Sequence, residues 1–364
     1  MQDTQLKNQH TFAAMQPLMG LGMNGLSLGI FWLGAALLSS IPLSDLGGRL
    51  NMFSDVVVFS TYATYVVMSF MMLVMIFTLL PAAQVSAERI NQVLSAKPRI
   101  KEGTVTEGKT PGTLEFQHVT FRYPEAADDD LMDVSFRVER GQTLAVIGAT
   151  GSGKTTLVSL IARFYDATQG KVLVDGVDVK DYTFDALYNK LGYVTQKAVL
   201  FSGSVRDNVL FGESNGKSNP DTAQTAIALS QSEEFVSKLE GGMDHAIAQG
   251  GRNVSGGQKQ RLSIARALAR DAEILIFDDS FSALDYRTDA ALRKGLNEQL
   301  KDTTKVIVAQ RISTIRHADR ILVLDEGRLA GSGTHEELLK TCPVYREIAM
   351  SQLSEAELRE GMKA

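Results

Sequence analysis

Apolar residues fall along this chain in two different rhythms. Residues 17–41 read PLMGLGMNGLSLGIFWLGAALLSSI, and no charged side chain occurs between His10 and Asp45. A second charge-free window runs from Val56 to Ala87, strongest at VVMSFMMLVMIFTLL, with Pro81 just beyond. As helices rising about 1.5 Å per residue, spans over residues 17–41 and 56–80 each reach about 37 Å, enough to cross a hydrocarbon core of about 30 Å. Uncharged windows of that length are rare in water-soluble cores, so the pattern predicts two transmembrane α-helices. Further on the rhythm changes. Short β-branched runs (TLAVI, KVLV, ILIF, KVIVA, RILVL) alternate with amphipathic stretches over residues 113–352, which predicts an α/β domain on a parallel sheet.

Charge sharpens this division. Residues 1–100 hold five Lys/Arg and four Asp/Glu, out of 37 and 42 in the chain. Residues 1–96 therefore read as a partial transmembrane domain, 97–112 (KPRIKEGTVTEGKTPG) as a linker and 353–364 as a polar tail. Arg89, Lys97, Arg99 and Lys101 crowd behind the second span, which by the positive-inside rule puts that side in the cytoplasm and turns the hairpin loop outward. The first apolar stretch is too long for the core of a cleavable signal peptide. Gly25 and Gly29 form a GxxxG pair that predicts close helix packing. Polar groups within the spans, among them Asn24, Tyr62, Thr64 and Ser69, suit either a pathway or helix-to-helix hydrogen bonds.

Net charge −5, with no Lys/Arg cluster, leaves no electrostatic footprint for nucleic acid. The single cysteine, Cys342, excludes a disulfide framework and a multi-cysteine metal site, and reads as a packed thiol.

The chemistry concentrates in three places. Residues 148–155 read GATGSGKT between a strand and an apolar helix start. This is the P-loop arrangement: with Gly148, Gly151 and Gly153 flanking Thr150 and Ser152, backbone N–H groups can close around phosphate oxygens at the N-terminus of a helix. Lys154 then reaches the β- and γ-phosphates, the Thr155 hydroxyl faces Mg²⁺, and Thr156 opens the helix. Asp278 and Asp279 end the apolar run ILIF, where the first carboxylate would hold the metal and the second would sit as a base for an attacking water. Ser255, Gly256, Gly257 and Gln258 form a Ser-capped helix start, a second anion receptor about 100 residues from the first. Two phosphate cradles make sense if two such modules sandwich nucleotide head to tail.

On these motifs the chain resembles the C-terminal part of an ATP-binding-cassette exporter, comprising its last two membrane helices and its nucleotide-binding domain. The resemblance implies an α/β P-loop domain with a parallel-sheet core plus antiparallel β and helical subdomains, preceded by transmembrane helices and binding ATP with Mg²⁺. It implies that Tyr123 stacks on adenine, that Gln196 joins the metal chemistry to the membrane part, and that Asp285, closing the SALD run, crosses a dimer interface. Exporter halves of this type carry six helices, so four more are expected ahead of the two here, and the polypeptide can be read as a fragment. It also implies a plasma-membrane, multi-pass location with the nucleotide domain in the cytoplasm, and the uncharged spans lean toward a lipophilic or amphiphilic cargo.

Two positions depart from the family pattern. Asp279 stands where a hydrolytic site carries Glu, and Gln310 stands where a switch His is expected. Asp is shorter by one methylene, a displacement on the order of 1 Å, which at a catalytic group costs about 100-fold. Gln cannot become a cation near neutrality. The pair resembles the degenerate half of a heterodimeric exporter, whose intact SGGQ would serve a second half-transporter chain. A homodimer that tolerates both substitutions is the alternative. A soluble member of the same superfamily acting in DNA repair or translation should lack the apolar windows.

Overall fold

The computed structural model describes residues 2–212 and 220–353, which divide into two compact units, 1–98 and 99–364. The polar tail expected from the sequence, beyond residue 353, lies outside the described residues.

In the first unit, helices Gln2–Ser39 and Leu46–Ser95 are joined by a short turn in which Asp45 accepts the Gly48 N–H at 2.9 Å. Both are long and apolar enough to cross a membrane. No residue of the second is buried, and Trp32, Phe70, Met72 and Phe77 stand mostly exposed. A helix apolar all round needs an apolar surrounding. The second helix does not stop near Pro81 but continues to Ser95. Among the described residues a Cβ on Gly25 or Gly29 would meet nothing, whereas one on Gly34 would press on Val56. The two helices are in close contact at Gly34. Thr64 and Ser69 donate to the carbonyls of Ser60 and Tyr65, so these hydroxyls are satisfied within their own helix.

The second unit opens with β1 (Leu114–Phe121), β2 (Leu131–Val138), β3 (Thr143–Gly148), β4 (Gln169–Val174), β5 (Val177–Asp178) and β6 (Leu191–Val194). The short strands β7 (Gly203–Ser204) and β8 (Ala246–Ile247) pair with each other. Then follow β9 (Ile274–Asp278), β10 (Thr304–Val308), β11 (Arg320–Asp325) and β12 (Arg328–Gly333). One sheet has the order β12-β11-β3-β10-β9-β6, parallel except for β12, and a second, antiparallel sheet has the order β2-β1-β4-β5. KVLV belongs to β4 and hence to the antiparallel sheet, not the parallel one.

Side-chain alternation divides the parallel strands between two cores. Leu144, Val146, Ile276, Val306 and Leu322 pack with the antiparallel sheet. Their neighbours Ala145, Ile147, Phe277, Ile307 and Val323 pack with Leu292, Leu296 and Tyr345 of the C-terminal helices, and Cys342 is buried there. A third cluster joins Val205, Val209, Ile227 and Phe235 to Leu262 of helix Gly256–Leu268. The segment read as a linker is tied down along much of its length. Gly103 N–H donates to Tyr182, Thr104 and Val105 donate to Asp181, and Lys109 and Thr110 donate to Asp175.

Candidate functional site

Strands β6, β9, β10 and β3 are consecutive neighbours and run parallel, so their C-terminal ends open on one edge of the sheet. Such an edge is where open α/β sheets bind ligands. From it emerge, in turn, Gln196, Asp278 with Asp279, Gln310, and the P-loop. They surround a cleft of about 240 Å³ lined by Thr150, Gly151, Gly153, Lys154, Thr155, Thr156, Gln196, Asp278, Asp279 and Gln310, with Asp130 at its rim.

The P-loop owes its shape to glycine. Gly151 (φ 84°) and Gly153 (φ 93°) are both left-handed, and a Cβ on Gly153 would come within 2.8 Å of the Asp130 carbonyl oxygen. Gly153 caps helix Lys154–Ile161, so the unpaired N–H groups of its first turn face the cleft. Lys154 Nζ donates to the carbonyls of Gly148 (2.9 Å) and Ala149 (2.6 Å). Burial pulls its pKa down, against the opposing pull of Asp279 and Asp278. Ser152 is buried beneath the loop.

Thr155 Oγ1 donates to Asp278 Oδ1 at 3.2 Å, and Tyr193 OH donates to the other carboxylate oxygen at 3.4 Å. Asp278 is 2% exposed, and burial raises its pKa above the ordinary carboxylate value. A buried carboxylate beside a hydroxyl, with an amide from Gln196 at the same cleft, is a hard-oxygen donor set that fits Mg²⁺ completed by substrate phosphates. Asp279 follows with φ 47° and only 9% exposure. Its Oδ2 accepts from Gln310 Nε2 at 2.8 Å and Gln196 Nε2 at 3.4 Å. Both departures noted in the sequence thus meet in one hydrogen bond.

Tyr123 does not line the cleft. Its ring packs edge-on against Phe121 (4.9 Å) and Tyr165 (5.1 Å), and its hydroxyl is hydrogen-bonded to Thr156 at 2.9 Å. The signature residues also lie elsewhere. Ser255 Oγ accepts the Gln258 N–H and Gln258 Oε1 accepts the Ser255 N–H, a reciprocal cap on helix Gly256–Leu268. Gly257 lies against the Ala283 carbonyl, on the loop that ends at Asp285. Asp285 caps helix Tyr286–Gln299 by accepting Thr288 N–H (3.0 Å) and Oγ1–H (2.7 Å), and the Thr288 N–H is the main cause of its lowered pKa. Ser255, Gly256 and Asp285 are exposed.

Two groups at the cleft were not singled out in the sequence. Tyr193 bears directly on Asp278, and nothing in its local sequence distinguishes it from a packed strand aromatic. Asp130 Oδ2 is buried without a hydrogen-bond partner among the described residues, and its run of three Asp carries no such signal.

Residues 131–282 match the family model described as ABC transporter. The chain is 41% identical over 350 residues to an uncharacterized ABC transporter ATP-binding protein of Mycobacterium tuberculosis, covering 93% of this chain and 57% of that protein. It is 38% identical over 338 residues to a protein of Xanthomonas oryzae pv. oryzae named as an ATP-dependent lipid A-core flippase, covering 93% of this chain and 56% of that one. Among solved structures, a bacterial Atm1-family ABC exporter with ATP bound superposes with a TM-score of 0.80 at 29% identity, over 97% of this chain and 61% of that chain. The chain therefore spans a little over half the length of the curated relatives it matches.

Proposed function

We propose that this chain, whose second unit is the ATP-binding domain of an ABC transporter, is one subunit of an ATP-driven membrane exporter. The observation that carries the reading is the convergence of the P-loop, Asp278, Asp279, Gln196 and Gln310 on one cleft at the carboxyl edge of four adjacent strands. In it Lys154 and the N–H groups of helix Lys154–Ile161 bind the phosphates of ATP, and Thr155, Asp278 and Gln196 hold Mg²⁺. Mg²⁺ held by Thr155, Asp278 and Gln196 would supply charge neutralisation at the phosphate oxygens. The two apolar helices belong to a multi-pass membrane domain in the plasma membrane, with the ATP-binding unit in the cytoplasm and a lipophilic or amphiphilic cargo.

The signature residues Ser255 to Gln258 are exposed or half-buried away from the chain's own cleft, which suits service to a second chain docked head to tail. We infer that this second chain is a different half-transporter. Asp279 is held by two amides and is one methylene short, and Gln310 supplies no positive charge to a leaving phosphate. The chain's own site then binds MgATP and hydrolyses it slowly, while its signature completes the partner's competent site.

Binding of MgATP to the full-length chain, followed with a fluorescent ATP analogue, tests the foundation. Lys154→Ala removes a charge-assisted contact of about 1.5–3 kcal/mol and is expected to weaken binding about 10- to 100-fold with the fold intact. Unchanged affinity would remove the cleft from consideration as the nucleotide site.

A further inference from the structure

A second cleft, of about 310 Å³, lies on one face of β3 and β10. Lys305 and Thr143 are register partners near the start of β10 and β3 and line it together with Ile307 and Ala145, the side chains two positions further on the same sheet face. Helix Tyr286–Gln299 and residues 313–318 close its sides. The lining contains Arg293, Lys294, Lys305, Arg316 and His317 and, among the described residues, no Asp or Glu.

Most of these charges are already spoken for. Arg293 is neutralised by Asp289 at 3.0 and 3.1 Å, and exposed Lys294 stands 3.9 Å from Glu298. Arg316 Nε donates to His317 Nε2 at 3.1 Å, and burial together with Arg316 and Arg293 holds this imidazole below its ordinary pKa. Lys305 is different. It is 3% exposed in a central strand and lines the cleft, and among the described residues its ammonium makes no hydrogen bond or ion pair while remaining accessible from the cleft. The carboxylate whose field reaches it, Asp319, is engaged by the Thr143 N–H at 2.7 Å. A largely buried lysine whose ammonium has no protein partner favours an anion in the cleft beside it. Ile307, Ile315 and Ala145 supply apolar wall beside it, and the volume lies within the range of small-molecule sites.

We propose that this cleft binds a small phosphate-bearing organic molecule, its anionic head on Lys305 and Arg316 and its body against Ile307, Ile315 and Ala145. The site is independent of the exporter reading. One of its walls nevertheless leads to the nucleotide cleft: β10 runs from Lys305 to Val308, which lines that cleft.

Pyridoxal 5′-phosphate is a direct probe. Its aldehyde condenses with a lysine amine to an imine with loss of water, and borohydride reduces the imine to a secondary amine that survives peptide mapping. In the full-length chain Lys305 should be modified about tenfold more than by pyridoxal, which lacks the phosphate. Inorganic phosphate should protect it where chloride of equal ionic strength does not, and Arg316→Gln should weaken that protection about threefold. Mapping separates Lys305 from Lys154, whose labelling is a property of the P-loop. The proposal is overturned if Lys305 stays unmodified while Lys294 and Lys301 react, if pyridoxal labels it equally, or if phosphate gives no protection.

Discussion

Replacing Asp279 by Glu and Gln310 by His together should raise ATP turnover at this chain's own site by about 100-fold. In the native arrangement Asp279 Oδ2 is 2.8 Å from Gln310 Nε2, so the carboxylate is held by an amide rather than advanced into the cleft. One methylene advances it by about 1 Å, and recovery from such a misplacement is worth about 100-fold, or roughly 2.7 kcal/mol of barrier. An imidazole at position 310 keeps a ring N–H for the carboxylate and can take up a proton opposite a phosphate. The exchange has a structural cost. Asp279 is left-handed at φ 47°, a region that Asp tolerates and Glu enters at a cost of about 1 kcal/mol, so Tm should fall by about 2–4 °C. Steady-state phosphate release from the full-length chain in lipid nanodiscs, with a melting curve on the same sample, reads both effects. KM should change by less than about twofold, because binding of the ground state is untouched. An unchanged kcat with intact MgATP binding would refute the idea that carboxylate reach and the missing charge limit this site.

Other substitutions separate the remaining roles. Ser255→Ala removes the reciprocal cap of helix Gly256–Leu268 and should cost about 1 kcal/mol of stability, leave MgATP binding to the chain's own cleft unchanged, and abolish stimulation of a partner's turnover. Tyr123→Phe deletes only the 2.9 Å bond to Thr156 and should cost about 1 kcal/mol in thermal unfolding, whereas Tyr123→Ala also opens the packing with Phe121 and Tyr165 and should cost about 3–5 kcal/mol. Asp278→Asn gives a pH signature. Burial raises the Asp278 pKa above 3.8, so the folded chain holds this proton more tightly than the unfolded one, and stability falls as pH rises from the unfolded value, the loss being complete above the folded pKa. In EDTA at neutral pH the Asn variant should therefore melt higher than wild type, the difference vanishing as pH falls to about 4, and it should lose its response to Mg²⁺.

Much of the site was legible because its densest part is contiguous. GATGSGKT between a strand and a helix carries its own geometry, and the structure adds only the φ values that make Gly151 and Gly153 necessary. Asp278, Gln196 and Gln310 were assigned by motif, but their convergence depends on the order β3-β10-β9-β6, a non-local fact that no periodicity contains. KVLV reads like every other buried strand until its partners are known, since alternation does not distinguish parallel from antiparallel pairing. The stretch 97–112 reads as loose from its Gly, Thr and Lys content, yet its backbone N–H groups find carbonyls of a segment some 70 residues later. Asp130 and Lys305 escaped for one reason: each looks solvated in its local sequence, and only tertiary packing buries it.

The central claim, a binding-competent but weakly hydrolytic site, is tested most directly on the full-length chain alone in lipid nanodiscs by measuring bound MgATP per chain and turnover on the same sample. The account predicts about one ATP bound per chain and turnover below about 1% of that of the Asp279→Glu, Gln310→His variant. Robust turnover by the chain alone, unaffected by Asp279→Glu, would contradict it and leave a self-sufficient homodimer.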